Sequence, residues 1–336
     1  AVETPLLPEN YKPGLSSMPY RIKVFLLFLP LLLSYAAQAD WLNLTGAETA
    51  ANIAEIYVLD DHIRVQLEVY PRDLEVFKSL IPDDWIKEKR SDRPALEQRQ
   101  EYFASQVLVI RDENGETLPA KFARVETRTR IDRRSPFAGM RNPYTGRTVP
   151  DAPADKRVVY AEIIYPLEGH PAQLEIVPPL DASGNVRVTI GFLAYHRSVP
   201  VVDFRYLGQA EKLELNWGDP WFTEFANRNL TRHHKYPMML YLYVEPRRIR
   251  LESLMRVSDI AGMTGFEGLD AQDNARMHRQ LKEQAHTWFK AEGWLDIDGV
   301  GVLPDQLEIS YFTVGVSGLV PVENPAEVDD VSLLVG

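Results

Sequence analysis

The sequence predicts a mostly β protein, built from tandem antiparallel β-sandwich domains of the Ig-like kind with short helical insertions and a C-terminally incomplete second domain. Two observations predict this fold class. Apolar and polar residues alternate with period two in most segments after residue 40, and one order of segments recurs at an offset of 186 positions. The composition, with 45% hydrophobic and 25% charged residues, is typical of a folded globular protein.

The first clear strand is the segment His62–Val69, in which apolar and polar residues alternate. This period is typical of an antiparallel strand that buries one face. The side chains on its apolar face are Ile63, Val65, Leu67 and Val69. Segment 53–59 has the same character, and Asp60-Asp61 between the two is a turn signal. We therefore expect the two segments to form a hairpin.

Alternation and turn signals predict the remaining elements in order. Further strands are expected at 106–110, 119–130, 157–165, 173–177, 186–195, 199–206, 212–217, 237–244, 248–257, 295–302 and 306–314. Turn residues at 113–115 and at 181–184 predict that the strands on either side of each turn form hairpins. Helical periodicity predicts helices at 73–80, 94–103 and 270–292. Segment 135–155 lacks a period and is expected to be a long loop.

An internal repeat is more specific than the composition. Ile56-Tyr57-Val58, Ile63-Arg64-Val65 and Asp73-Leu74 return 186 positions later, without a gap, as Leu242-Tyr243-Val244, Ile249-Arg250-Leu251 and Asp259-Ile260. A helix and then a strand follow in each copy. A shared order at one offset indicates a duplication whose second copy lacks its C-terminal strands. The alternative is chance similarity among β-rich segments.

The N-terminal residues predict export. Arg21 and Lys23 precede the apolar run Val24–Leu33, and Ala37 and Ala39 supply the small residues of a cleavage site. An uncleaved anchor is the alternative, but the run is shorter than the roughly 20 residues that a membrane span needs. We expect the protein in the periplasm or cell envelope, with membrane anchoring left open.

These signals divide the chain into five segments. They are an upstream, non-native segment (1–17), a signal peptide (18–39), a first β-sandwich domain (40–217), an aromatic linker (218–237) and a second β-sandwich domain that is C-terminally incomplete (238–336).

Charge and composition exclude several classes of function. A net charge of −11 argues against nucleic acid as a partner. The basic cluster of Arg128, Arg130, Arg133 and Arg134 is interpreted as a solvated rim, with a polyanion site as the alternative. The absence of cysteine excludes disulfides, thiolate metal sites and cysteine nucleophiles.

No catalytic spacing is present in the sequence. Nucleophile-elbow, zinc-protease, phosphate-loop and dinucleotide motifs are all missing. Segment 296–299, Asp-Ile-Asp-Gly, resembles the start of a calcium loop, but its ligand pattern breaks at Val300, so a tight turn is the better interpretation. We therefore expect no enzyme activity and no cofactor.

His233 and His234 are the candidate metal ligands, with Met238 and Met239 nearby for copper or nickel. Adjacent residues on a strand point to opposite faces, so one ion would rarely bind both. Surface or loop histidines beside core methionines are the alternative interpretation.

Trp217, Trp221 and Phe222 are the candidate ligand or interface residues. Exposed aromatic rings near Asp and Asn suit the faces of sugars. The alternative is that the cluster packs between the two domains, because the segment lies between the two copies.

Four segments have distinctive amino-acid sequences: Asp155–Tyr160, Val177–Asp181, Tyr195–Val201 and Asp203–Gly208. In these segments the chain resembles the extracytoplasmic N-terminal region of a group of bacterial envelope and membrane proteins without assigned chemistry. Some of these proteins continue into a hydrogenase/urease-accessory, nickel permease-like membrane domain. The resemblance covers most of residues 40–336 and implies no catalytic residue.

The favoured function is a non-catalytic extracytoplasmic binding or interaction module of an envelope or membrane-anchored protein. Its expected partner is another protein or its own C-terminal membrane domain, through which it would associate with a membrane. The alternatives are a periplasmic metal-capturing domain that serves a transporter, and a carbohydrate-binding or carbohydrate-active protein.

Overall fold

The alternating segments form the first hairpin of the fold. Strand β1 (Asn52–Val58) pairs antiparallel with β2 (His62–Val69), from Ile53 opposite Glu68 to Val58 opposite Ile63. The computed structural model describes residues 45–86, 93–135, 137–143, 145–232, 236, 238–269, 273–291, 295–315 and 318–336. These residues are mostly β, as predicted.

The other strands follow in chain order. They are β3 (Val109–Arg111), β4 (Lys121–Thr129), β5 (Arg157–Pro166), β6 (Gln173–Val177), β7 (Ile190–His196), β8 (Val199–Tyr206), β9 (Glu211–Glu214), β10 (Glu224–Phe225), β11 (Met238–Glu245), β12 (Arg248–Arg256), β13 (Leu295–Ile297), β14 (Val300–Val302), β15 (Tyr311–Gly315), β16 (Gly318–Val322) and β17 (Leu334–Val335). The described residues also form three α-helices: α1 (Leu96–Gln106), α2 (Val257–Thr264) and α3 (Asn274–Ala291).

Two sheets build the N-terminal half, residues 45–232. The larger sheet has the order β4-β5-β2-β1-β7-β8, and the smaller has the order β10-β9-β6-β3. Neighbouring strands are antiparallel in both, apart from β1 and β7, which are parallel. Leu174 and Leu213 of the smaller sheet lie in one hydrophobic cluster with Ile56 and Val65 of the larger one. The two sheets therefore share a single core.

The two hairpins predicted around 113–115 and 181–184 form only next to their turns, where Arg111 pairs antiparallel with Thr117 and Leu180 with Val186, and they do not extend into the main strands. The turns form, because Asp112 and Asp181 each accept hydrogen bonds from backbone N–H groups within their own turn. However, β3 and β4 lie in different sheets, and so do β6 and β7. Each strand leaves its turn for the sheet that buries its apolar side chains, which the turn residues alone do not specify.

The C-terminal half, residues 238–336, contains a sheet with the order β11-β12-β17-β15-β16 and the separate hairpin β13–β14. Helices α2 and α3 cover one end of the sheet, where Met255, Leu281 and Tyr311 belong to one buried cluster. The tight turn predicted at 296–299 is confirmed, because Asp298 and Gly299 have positive φ angles of 54° and 82° between β13 and β14.

The two halves share the order of four neighbouring strands. The sequence β11-β12-β17-β15 matches β1-β2-β5-β4, and β13 lies 186 positions after β3. Val335 pairs with Met255 as Val159 pairs with Val69. The predicted repeat therefore holds in strand order and in register over the described strands.

Two of the three predicted helices are confirmed, and the third is wrong. Helices α1 and α3 lie within three to four residues of their expected bounds. The helix expected at 73–80 is instead two 3-10 turns, Pro71–Asp73 and Lys78–Leu80, which bury Phe77 and Leu80. No helix among the described residues combines the length and the apolar character that a membrane crossing requires.

Candidate functional site

An apolar face of the β11–β12 hairpin is exposed to solvent, and we call it the open face. Its side chains, with their exposed fractions, are Leu240 (46%), Leu242 (52%), Val244 (74%), Ile249 (39%) and Leu251 (39%). They are neighbours, because Val244 pairs with Ile249 and Leu242 pairs with Leu251. Contiguous apolar patches of this kind on a protein surface commonly mark interaction sites.

The equivalent face of the N-terminal half is completely buried. Ala54, Ile56, Val58, Ile63 and Val65 occupy the same positions of the β1–β2 hairpin, and each is 0% exposed. The smaller sheet covers these side chains, and β7 runs beside β1. The exposure of the open face therefore does not follow from its sequence pattern, which both hairpins share.

The opposite faces of the two hairpins share one Tyr–Arg contact. The guanidinium of Arg64 lies 4.7 Å from the ring centre of Tyr57, and that of Arg250 lies 4.4 Å from the ring centre of Tyr243. Both are cation–π contacts between paired residues at the same register. In the N-terminal half, Tyr195 of β7 also stacks on Tyr57, with ring centres 4.9 Å apart. Burial raises the pKa of Tyr195 to about 12.

Strand β11 is the edge of its sheet, whereas β1 is central in its own. The backbone N–H and C=O groups along the outer side of an edge strand can pair with another strand. Strand β11 is eight residues long, and its alternate side chains belong to the open face. The geometry is therefore suited to strand addition, in which backbone hydrogen bonds and apolar contacts act together.

A buried ion network lies on the opposite face of the N-terminal sheet. Arg133 donates to Glu68 at 2.7 Å and to Glu55 at 2.8 Å, and Arg128 donates to the other oxygen of Glu68 at 2.9 Å. Tyr57 Oη donates to the remaining oxygen of Glu55 at 2.9 Å. All four carboxylate oxygens have donors, so the network holds segment 130–135 on the sheet.

The solvated rim predicted for the basic cluster is therefore wrong for two of its members. Arg133 is paired and nearly buried, and Arg130 is buried and donates to the carbonyl oxygen of Ala50 at 2.7 Å. Arg134 remains exposed. Local charge density indicated a surface, whereas the tertiary contacts decide which arginines are covered.

Trp221 lies where the two halves meet. Its buried ring packs with Val199, Leu254 and Leu334, and its Nε1 donates to the carbonyl oxygen of Val331. The guanidinium of Arg232 lies 4.8 Å from the Trp221 ring centre, and burial lowers the pKa of Arg232 to about 10. Trp221 thus contacts residues of both halves.

Trp217 and Phe222 lie on either side of this junction residue. Trp217 stacks on His170 with ring centres 4.2 Å apart and donates to the carbonyl oxygen of Pro171 at 2.9 Å. Phe222 is exposed, and the guanidinium of Arg256 lies 5.6 Å from its ring centre. Arg256 in turn donates to Asp219 at 2.8 Å. Sugar binding by this segment stays a prediction.

His233 and His234 lie outside the described residues, so the metal site stays a prediction. Of their two expected neighbours, Met238 is exposed on β11 and Met239 is half-buried. Elsewhere in the described part of the chain, no three His, Asp or Glu side chains converge to hold a metal ion. Buried His278 faces a single carboxylate, Asp330, at 3.0 Å.

Comparison with protein families, with characterised proteins and with solved structures found no match for this chain. The resemblance to envelope and membrane proteins therefore stays a prediction.

Sequence reasoning missed the open face. It singled out histidine and tryptophan side chains, which carry recognisable chemistry, and predicted segments 237–244 and 248–257 only as strands. One signal was available, because the repeat pairs this hairpin with β1–β2, while β6, β9 and β10, which help to cover β1–β2, have no counterpart among the strands described after it.

Proposed function

We propose that this chain is a non-catalytic binding or interaction module of a bacterial envelope or membrane-anchored protein. It consists of two tandem β-sandwich units of the Ig-like kind, and the second unit binds a polypeptide strand on its open face. The extracytoplasmic position is proposed on the export signal at residues 18–39.

One observation carries the proposal: the open face has the composition of a sandwich core but is exposed. Leu242 and Val244 are 52% and 74% exposed, and Ile56 and Val58 at the same positions are fully buried. Burying apolar surface contributes about 25 cal/mol per Å², so covering five such side chains favours association. The edge of β11 adds backbone hydrogen bonds in a defined register.

The strand that pairs with β1 supplies a probe for this function. A labelled peptide of residues 187–197 contains β7 and carries Arg187 and Arg197 at its ends, which aid solubility. In the N-terminal half this strand places Phe192 and Ala194 beside Ala54 and Ile56. We expect saturable binding of the peptide to the chain, with a Kd on the order of 100 μM by fluorescence anisotropy.

Two variants test where the peptide binds. Leu242→Lys places a charge in the centre of the open face and is expected to abolish binding, because the ammonium would be desolvated. Val320→Lys is the matched control, since Val320 is 48% exposed on β16 at the other edge of the same sheet. This control should bind as the parent chain does. Absence of binding, or equal binding by both variants, would overturn the proposal.

A further inference from the structure

The occupant of the open face can be identified from the repeat, and this inference rests on the proposed function. In the N-terminal half, Ile56 and Val65 lie in one cluster with Leu174, Leu213 and Phe225. These three side chains belong to β6, β9 and β10. Part of the cover of the equivalent face is therefore made by strands that follow β5 in the chain, and Phe77, Phe103 and Leu108 before β5 supply another part.

Strand β17 is the counterpart of β5. It enters between β12 and β15 as β5 enters between β2 and β4. Strand β5 pairs with β2 at eight positions, from Val69 to His62. Strand β17 pairs with β12 at two, Met255 and Arg256. The stretch Arg248–Leu254, which carries Ile249 and Leu251 of the open face, thus corresponds to the part of β2 that pairs with the rest of β5.

The hairpin β13–β14 leads to the same conclusion. Strand β13 corresponds to β3, which pairs with β6 in the N-terminal half. Here β13 pairs with β14, as Arg111 bridges Thr117 after β3, but no counterpart of β6 pairs with β13 among the described residues. The apolar side chains Ile297, Val300, Val302 and Leu303 are exposed. The surfaces left uncovered in the C-terminal half are the ones that β6, β7 and β9 cover in the N-terminal half.

We infer that the open face is covered in cis by the stretch of this polypeptide that follows β17, folded as the counterparts of β5 to β10. One of its strands pairs parallel with β11 in the register that β7 has with β1. Because Tyr195 of β7 stacks on Tyr57, the residue at the same register lies against Tyr243. The C-terminal half then becomes a second complete two-sheet unit.

Thiol labelling tests this inference, because the chain contains no cysteine. Leu242→Cys is introduced both into the 336-residue chain and into a chain extended by its natural downstream residues over a length like that from Val159 to Phe225. We expect the rate of maleimide labelling to fall by at least about ten-fold in the extended chain, because labelling there requires local opening. Val244→Cys should behave in the same way.

Val320→Cys on β16 is the matched control, and its labelling rate should change less than about two-fold between the two chains. Equal labelling of Leu242→Cys in both chains would overturn the inference. Protection that depends on protein concentration would assign the face to a second copy of the chain and also overturn it. These readouts are independent of the β7-peptide measurement, so failure of the proposed function is detected separately.

Discussion

The β1–β2 and β11–β12 hairpins differ in burial, although their sequences and local structures are closely matched. Both have the same pairing, with Val58 opposite Ile63 in one and Val244 opposite Ile249 in the other. Both also carry a Tyr–Arg contact on the opposite face. Yet Val58 is 0% exposed and Val244 is 74% exposed. The hairpin forms from its own pattern, whereas its burial depends on strands from elsewhere.

The opposite faces of the two hairpins differ at one pair of equivalent positions. Glu68 and Leu254 occupy equivalent positions, 186 residues apart. Glu68 is buried in an ion network with Arg128 and Arg133, whereas Leu254 is buried against Trp221 at the junction of the two halves. In the first half, the residue at this position binds a local segment to the sheet. In the second half, the equivalent residue packs against the other half of the molecule.

The largest expected effect comes from placing the same charge in both hairpins. Val58→Lys should cost more than about 4 kcal/mol of unfolding free energy, because the ammonium is buried without a partner. Val244→Lys should change that free energy by less than about 0.5 kcal/mol. Chemical denaturation followed by circular dichroism measures both.

A milder pair keeps this comparison measurable if Val58→Lys does not fold. Ile63→Ala should cost about 3 kcal/mol, and Ile249→Ala should cost less than about 1 kcal/mol. Equal losses in the two halves would mean that the open face is covered in the isolated chain.

A pH effect of intermediate size comes from β7, which has no counterpart beside β11 among the described strands. Its His196 is fully buried, with Nδ1 2.6 Å from Thr223 Oγ1. Burial, with a smaller contribution from Arg197, lowers the pKa of His196 to about 4. The unfolded chain therefore binds one more proton between about pH 6.5 and pH 4, and stability falls as the pH decreases through that window.

Substituting His196 isolates this contribution. Protonation of the unfolded state costs the native state up to about 3 kcal/mol below pH 4, and nothing above about pH 6.5. In His196→Gln the fall in unfolding free energy between these limits should be smaller by that amount. Denaturant titrations at several pH values measure it, and an identical pH slope in both proteins would contradict the assignment.

The smallest expected effect concerns the contact that both hairpins keep. Arg64→Gln should cost about 1 kcal/mol, because half-buried Tyr57 also stacks on Tyr195. Arg250→Gln should cost about 0.5 kcal/mol at the more exposed Tyr243 pair. Double-mutant cycles with Tyr57→Leu and Tyr243→Leu give the coupling energies. Zero coupling in both cycles would show that the shared geometry contributes no stability.

Local periodicity was enough to predict the elements that dominate both halves. Strands β1, β2, β8, β11 and β12 begin and end within one residue of their predicted bounds, because alternation and turn residues act over a few positions. The sequence could not predict that β3 and β6 belong to the smaller sheet. The same local turn can connect two strands that pair with each other or two strands that enter different sheets.

The candidate site was harder to predict than the fold. Burial of Trp221 between the halves agrees with the packing alternative that its position suggested. Exposure of Leu242 had no local signal, because the same alternation in Ile56 leads to a core. Burial of Arg133 was missed because two carboxylates distant in sequence, Glu55 and Glu68, accept its charge.

The sequence by itself determined the alternating strands, the tight turn at Asp298-Gly299, the absence of disulfides and the repeat, because each depends on residue types at short spacing. Only the tertiary structure decided which of two equivalent apolar faces is covered. Coverage requires strands such as β6 and β7, which lie more than a hundred residues from β1 and must be brought together by the whole chain. One hairpin is therefore part of a core, and the apolar face of the other is exposed.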